Sequence, residues 1–324
     1  MAKKFEKYKN VQIFKKENGG KHTAMNLALE YINTPFLGCL DADSTVDIQA
    51  LKRIMSYFVD EEIMAVAPSI IVNKPNNIIQ HAQKAEYDMA IYVKKMLGFV
   101  GGIHVTPGPF SIFRKKVFDD LGPYRKAHNT EDQEIALRMQ EHGYRIDHCP
   151  DAYVYTNSPK NIRALYHQRV RWIYGFIKNA LDYRRMIFRK KYGNVAIFTI
   201  PSGLVSVSSV VFLLIFMSYN LWHFIAYKIL QYNSIGISSI TSFKFDWFFF
   251  DTKTLVFVSI ILYSLVITAL LLGRRMHEGK WRLSKDIIYF FIIYSVIAPF
   301  WILKAIYNAI TSKESSWTFE RRVK

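Results

Sequence analysis

From Tyr192 to Tyr227 the chain runs for 36 residues without an Asp, Glu, Lys or Arg. Thr254–Gly273 is a second such stretch of 20 residues, and Ile287–Leu303 a third of 17. A membrane-spanning helix needs roughly 20 apolar residues, with about 17 as the lower limit. Helices of a soluble protein seldom run this long without a polar face. Residues 192–324 therefore read as a transmembrane region, with spans at about 196–218, 254–273 and 287–303. Charge orients them. Arg184, Arg185, Arg189, Lys190 and Lys191 precede the first span, and Arg274, Arg275, Lys280, Arg282 and Lys285 lie between the second and third. Both clusters belong on the cytoplasmic side. The segment between the first two spans holds only Lys228, Lys244 and Lys253, with Trp247, Phe248, Phe249 and Phe250 suited to a membrane interface. The tail opposes this arrangement: three spans put it outside, yet it carries Lys313, Arg321, Arg322 and Lys324.

The net charge of +17 asks for an anionic partner, whether nucleic acid, a phosphorylated substrate or anionic lipid. The basic residues crowd beside the apolar stretches rather than forming an independent patch, which argues against nucleic acid. Cys39 and Cys149 form no C-x-x-C pair, so neither a disulfide scaffold nor a zinc site is expected. Residues 1–10 are charged and polar and do not read as a signal peptide.

Before Tyr192 the pattern is α/β. Val11–Phe14, Phe36–Leu40 and Met64–Ser69 read as strands. Lys21–Tyr31 and Ile48–Phe58 read as helices, the first with Ala24, Leu27, Ala28 and Tyr31 on one face. The alternation predicts a largely parallel sheet with ligands beyond its strand ends, where Asp41 and Asp43 fall.

Four segments carry chemistry. In Asp41-Ala42-Asp43 two carboxylates one residue apart suit Mg²⁺ or Mn²⁺ held jointly with substrate phosphates, although an Asp pair is also common in plain surface turns. Asp41 to Thr45 also fits a D-x-D-x-T phosphatase loop, but Asp119-Asp120 is poorly placed to complete that site. In Asn129-Thr130-Glu131-Asp132, Asn129 or Thr130 can cap a helix running to about His142; Asp132 can act as a general base, or the acids can merely favour the helix dipole. Gln168-Arg169-Val170-Arg171-Trp172 sits in a segment, Lys160–Lys191, with ten Lys/Arg residues and one acid, Asp182. A basic amphipathic helix on anionic lipid accounts for Arg184–Lys191. It accounts less well for Gln168 and Trp172, since arginine grips a diphosphate and an aromatic face stacks on a sugar. Thr106–Arg114, with its Gly and Pro residues, is a loop entering a strand.

Together, Gly20-Lys21-His22-Thr23-Ala24-Met25-Asn26, Asp41-Ala42-Asp43, Gly108 through Arg114, Thr130-Glu131-Asp132 and Gln168 through Trp172 follow the pattern G-K-x-x-A-x-N, D-x-D, G-x-x-x-x-x-R, T-E-D and Q-x-x-R-W. The set resembles the family 2 glycosyltransferases, in particular the membrane-bound, often processive branch of hyaluronan, chitin, cellulose and poly-N-acetylglucosamine synthases. The resemblance covers about residues 10–190, and the apolar spans fit it too. It implies a GT-A-like, Rossmann-related mixed sheet in residues 1–157, basic interfacial helices in 158–191, and the transmembrane region after them. It implies that Asp41 contacts the nucleotide and Asp43 the metal, with Asp132 as catalytic base beside Glu131. Gln168, Arg169, Arg171 and Trp172 would bind diphosphate and acceptor sugar, Lys21 would reach the nucleotide, and Gly108 and Ser111 would line the acceptor path. The partners implied are a UDP-sugar, with N-acetylglucosamine as the expected donor, a saccharide or glycolipid acceptor and membrane lipid, at the cytoplasmic face of the plasma membrane. Family members carry further strands before the G-K-x-x-A-x-N segment, including a turn whose Asp holds the uracil. Only nineteen residues precede Gly20 here, so a sheet incomplete at its N-terminus and weak or no activity of the chain alone are expected. The alternative function is an inactive truncated partner of such a synthase.

Overall fold

The computed structural model describes residues 2–235 and 252–312. Lys244, Trp247–Phe250 and the basic tail residues Lys313, Arg321, Arg322 and Lys324 lie outside them.

Five strands form one sheet in the order β1-β4-β3-β5-β2: β1 is Phe36–Gly38, β2 Ser44–Val46, β3 Ile63–Val72, β4 Ile112–Arg114 and β5 Arg145–Thr156. Only β3 and β5 pair in parallel; β1 with β4, β3 with β4, and β2 with β5 are antiparallel. This corrects the expectation of a largely parallel sheet. Alternating strand and helix patterns identify neighbours, whereas direction depends on the connection. Between the helix that follows β3 and the start of β4, residues 100–111 run without helix or strand. At about 3.3 Å per residue such a segment can carry the chain across the sheet before it turns back.

Most of the expected elements are present with shifted ends. Helix α1 is Lys21–Leu29; Ile48–Phe58 resolves into α2, Ala50–Met55, and a 3₁₀ turn, Ser56–Val59; Met64–Ser69 lies inside β3. Val11–Phe14 is not a strand. Its apolar residues are exposed, with Phe14 against Tyr31, and no described strand offers it a ladder partner. Strand β2 was not anticipated, being only three residues after the Asp pair.

Helix α3, Ile78–Phe99, is the hub of the molecule. Asn77 caps it, accepting from the Gln80 amide at 2.9 Å. One side of α3 lies on β3 and β5. The other receives two apolar helices, α8 (Thr252–Glu278) and α9 (Lys285–Ile310). Ala82 of α3 packs with Leu165, Val170 and Tyr174 of α6 (Ile162–Asp182) and with Ile293, Trp301 and Ala305 of α9. Ala85 meets Leu270 and Ile287. Contact with α8 is backbone to backbone: a Cβ on Gly273 would lie 1.7 Å from the Asp88 carbonyl oxygen. Short α4, Lys116–Leu121, and α5, Glu131–Glu141, complete the core under β1 and β4 through Phe113, Phe118, Ile135 and Met139.

A buried ionic junction joins the α/β part to α8 and α9. Arg274, 1% exposed, donates to Asp88 at 2.9 Å, to Asp286 at 2.8 Å and to the Ser284 hydroxyl at 2.7 Å. Lys84 pairs with Asp88 at 3.0 Å and Glu278 at 2.9 Å. Arg274, which the charge pattern treats only as an orienting residue, is thus a structural cross-link.

The first apolar helix, α7, spans Ile200–Ile235 after a π-helical segment, Val195–Thr199, so it runs beyond the expected 196–218. Pro201 follows that segment within continuous helix, and it has no N–H to donate to the turn before it. Among the described residues three helices, within Val195–Ser234, Val256–Glu278 and Lys285–Ile310, are long and apolar enough to cross a membrane.

Candidate active site

A cavity of about 520 Å³ opens where the β1–β2 loop meets β3, β5, α3, α5 and α6. Lys21, Asp41, Asp43, Gly108, Glu131, Asp132, Gln168, Arg171 and Trp172 all line it. Ser111 and Arg169 do not. The Ser111 hydroxyl is buried and donates to the Pro107 carbonyl at 2.6 Å, so it shapes the loop.

At one end lie the two aspartates. Asp41 is paired with the Lys21 amine. Burial alone would lower the Lys21 pKa, but the hydrogen bond and charge of Asp41 outweigh it and hold the amine above its ordinary value. Asn26, last residue of G-K-x-x-A-x-N, does not enter the cavity. It exchanges two hydrogen bonds with the Tyr124 backbone, at 2.8 and 2.9 Å, and so ties α1 down beside the site. Gly108 lies against the Lys21–Asp41 pair; a Cβ there would stand 2.6 Å from the Lys21 nitrogen. Asp43 is exposed at the start of β2 and accepts from the Ser44 hydroxyl at 3.2 Å.

At the centre is the first turn of α5. Its cap position is Thr130, but that hydroxyl makes no cap hydrogen bond. It donates to the Ala127 carbonyl at 2.9 Å and accepts from Asn179 of α6 at 2.9 Å. The turn before it is strained: His128 and Asn129 have φ of 51° and 61°, in a region costly for residues other than glycine. That bend sends Glu131 and Asp132 into the cavity instead of along the surface. The Asp132 carbonyl is pinned by the Thr106 amide at 3.2 Å and hydroxyl at 2.9 Å. Behind the turn, α6 approaches so closely that a Cβ on Gly175 would fall 2.3 Å from the Thr130 side chain. Burial raises the Asp132 pKa, and the charge of Glu131 raises it further, against the opposing pull of Lys21 and Arg171.

The far wall is α6. Arg171 donates to the Asn129 carbonyl at 3.1 Å, and its charge lies in the field of Asp132, Glu131 and Asp41. Trp172 stands at the rim, 36% exposed.

Sequence motifs missed the wall contributed by α3, where Glu86, Tyr87 and Lys94 line the cavity, with His104 and His148 deeper in. Burial brings Lys94 down to about 8, partly resisted by Asp132, and His104 down to about 4. Glu86 and Lys94 are eight apart and share one helix face, but Lys84, Asp88 and Lys95 are charged on the same helix, so no pattern sets the cavity residues apart.

Comparisons with known proteins agree with this layout. Poly-beta-1,6-N-acetyl-D-glucosamine synthase of Staphylococcus epidermidis is 26% identical over 253 residues, 77% of this chain and 59% of the relative. The synthase of the same name from Staphylococcus aureus is 30% identical over 161 residues, 49% of this chain and 39% of the relative. The chain therefore spans less than two thirds of the length of these curated relatives. In structure it is similar to the mannosyltransferase PcManGT from Pyrobaculum calidifontis, solved in complex with GDP-Man and Mn²⁺, with a TM-score of 0.53 at 13% identity. That match covers 94% of this chain and 70% of the other and speaks for the fold, a GT-A-like α/β sheet followed by helices. The model for "Glycosyl transferase family group 2" matches residues 37–302, from the strand before the aspartate pair into the last apolar helix, and the chain belongs to that family.

Proposed function

We propose that this chain carries the catalytic site of an inverting, membrane-bound glycosyltransferase, which moves N-acetylglucosamine or a related sugar from a UDP-sugar to a growing polysaccharide or glycolipid at the cytoplasmic face of a membrane. The observation that carries the reading is the position of Asp132: a carboxylate at the strained first turn of α5, in one cavity with the Asp41–Asp43 end and with Arg171 and Trp172. The similarity to poly-beta-1,6-N-acetyl-D-glucosamine synthases supports the donor sugar. The three apolar helices support the membrane, and the basic residues before α7 and between α8 and α9 support a cytoplasmic site.

The reaction is one displacement. Asp132 takes the proton of an acceptor hydroxyl as that oxygen bonds to the anomeric carbon, while the bond from that carbon to the UDP oxygen breaks on the opposite side. A single displacement inverts the anomeric centre. Burial makes Asp132 a stronger base than a solvated aspartate. Arg171 faces the charge that develops on the departing diphosphate. Trp172 offers an apolar face to the acceptor ring. Lys21 can exchange its bond to Asp41 for one to the nucleotide.

The donor set fits a hard divalent ion, Mg²⁺ or Mn²⁺. Among the described residues no three His, Cys, Asp or Glu side chains group to hold a metal by themselves. Asp43 does line the cavity, and such an ion is commonly held by one or two carboxylates with phosphates and water. When bound there it would neutralise charge on the diphosphate.

The direct test is a screen of nucleotide sugars with the full chain in detergent or nanodiscs, reading released nucleoside diphosphate. UDP-N-acetylglucosamine with Mg²⁺ or Mn²⁺ should be turned over; release from GDP-sugars alone would overturn the donor assignment.

The pH profile gives a second prediction. Asp132 works only when ionised, so the rate should fall as pH drops through its raised pKa, above the ordinary aspartate range. Glu131→Gln removes a like charge and should move this acid limb to lower pH. An acid limb that stays in place, measured on kcat, would separate Asp132 from the titration.

A further inference from the structure

Arg169 lies between Gln168 and Arg171 in sequence, yet its guanidinium turns away from the cavity and is only 4% exposed. Its Nη2 donates to the Glu86 carboxylate of α3 and, at 3.1 Å, to the Tyr294 hydroxyl of α9. That hydroxyl donates to the same Glu86 oxygen at 2.5 Å. The three groups close a triangle in which Glu86 supplies the balancing charge. Arg169 also lies over Trp172, its Cζ 4.2 Å from the indole centroid. Tyr294 is braced edge-on by Trp301, with ring centroids 5.5 Å apart.

An arginine so engaged is not free to grip a diphosphate. Its Nη2 is committed to Glu86 and Tyr294, and the guanidinium is buried outside the cavity lining. It acts on the cavity through Glu86 and Tyr87, which line it, and through the Trp172 indole, because a cation stacked on an aromatic face holds that ring in one plane. Three elements meet there: α3 through Glu86, α6 through Arg169 and Trp172, and the last apolar helix through Tyr294.

We infer that Tyr294 of α9 is a positioning residue for the acceptor end of the cavity: with Glu86 it clamps Arg169, and Arg169 sets the plane of the Trp172 indole against which the acceptor sugar rests. This rests on the reading of Trp172 as the acceptor platform. It gives one of the membrane-type helices a part in acceptor binding without touching the acceptor. A shift of α9 against α3 would reach the cavity as a rotation of the Trp172 ring.

The test uses the full chain in detergent, labelled with 5-fluorotryptophan, and the variants Tyr294→Phe and Arg169→Lys. Tyr294→Phe removes one hydroxyl and keeps the ring; Arg169→Lys keeps the charge and loses the planar fork. The ¹⁹F resonance of Trp172 is assigned by its loss in Trp172→Phe and is read without substrate, so it does not depend on the sugar. Both variants should shift or broaden it. With UDP-N-acetylglucosamine and a β-1,6-linked N-acetylglucosamine pentasaccharide, both should raise the acceptor KM about fivefold, the worth of one ordinary hydrogen bond. The donor KM and kcat should stay within about twofold. An unmoved resonance in both variants overturns the inference. So does a fall in kcat with the acceptor KM unchanged, which is what loosened helix packing alone would produce. Failure of the underlying reading looks different: Asp132→Asn would then keep full transfer, whatever the Trp172 resonance does.

Discussion

Asp132→Asn should abolish sugar transfer and leave the protein at least as stable as the parent. Loss of a positioned general base costs about 10²–10⁴-fold in rate. The stability follows from the same burial. The Asp132 pKa is raised in the folded chain, so the folded state holds that proton more tightly than the unfolded one. Its stabilising contribution is present at low pH and is lost as pH rises through the folded pKa. An amide stays neutral throughout and keeps that contribution at neutral pH, while its oxygen can still accept from the Gln133 amide as Asp132 does at 3.0 Å. The measurements are released UDP and thermal unfolding of the two proteins side by side, with UDP binding by calorimetry as the control for an intact nucleotide end. Full transfer by the variant would remove Asp132 from the mechanism. A large drop in melting temperature would mean that its charge is structural instead.

Arg274→Met should be the most damaging change outside the cavity. It leaves Asp88, 1% exposed, with Lys84 as its remaining partner and Asp286, 9% exposed, with His81 and Ser284, and takes the donor from the Ser284 hydroxyl and the Arg282 carbonyl. Removing one partner of a buried charge network costs about 3–5 kcal/mol. The damage should be directional. Helix α3 holds Glu86, Tyr87 and Lys94 in the cavity wall, and α8 is seated on its backbone at Gly273. Loosening that seat should therefore lower activity together with the melting temperature. Replacing the network as a whole, with Asp88→Leu, Arg274→Met and Asp286→Leu, should recover much of the loss, because no charge is then left buried alone. Thermal unfolding in detergent measures both variants. Equal melting temperatures for Arg274→Met and the parent would mean that the junction contributes nothing.

The site was legible where chemistry leaves short, ordered marks. Asp41-Ala42-Asp43, Thr130-Glu131-Asp132 and Gln168 through Trp172 are separated by more than 30 residues each, yet they border one cavity. The α3 wall was not legible. Its residues carry no motif, and on a helix that is buried on two sides Glu86 and Lys94 read as ordinary surface charges. Arg169 was beyond reach for a related reason: adjacent residues on a helix point about 100° apart, so a neighbour of two cavity residues can face a different element altogether. Strand direction was hidden too, because hydrophobic alternation carries no information on which way a long connection returns the chain.

The sequence alone determined the family, the ordered set of polar residues around the cavity and the three long apolar helices, since charge, hydropathy and residue spacing are local properties. Only the tertiary structure decided the mixed sheet order, the strained turn that aims Asp132, the buried Arg274 junction and the Glu86–Arg169–Tyr294 triangle. The triangle joins groups 83 residues apart for Glu86 and Arg169 and 208 for Glu86 and Tyr294, and the junction joins Asp88 and Arg274 across 186. Contacts at such separations are set by how the elements pack against one another, which no local pattern encodes.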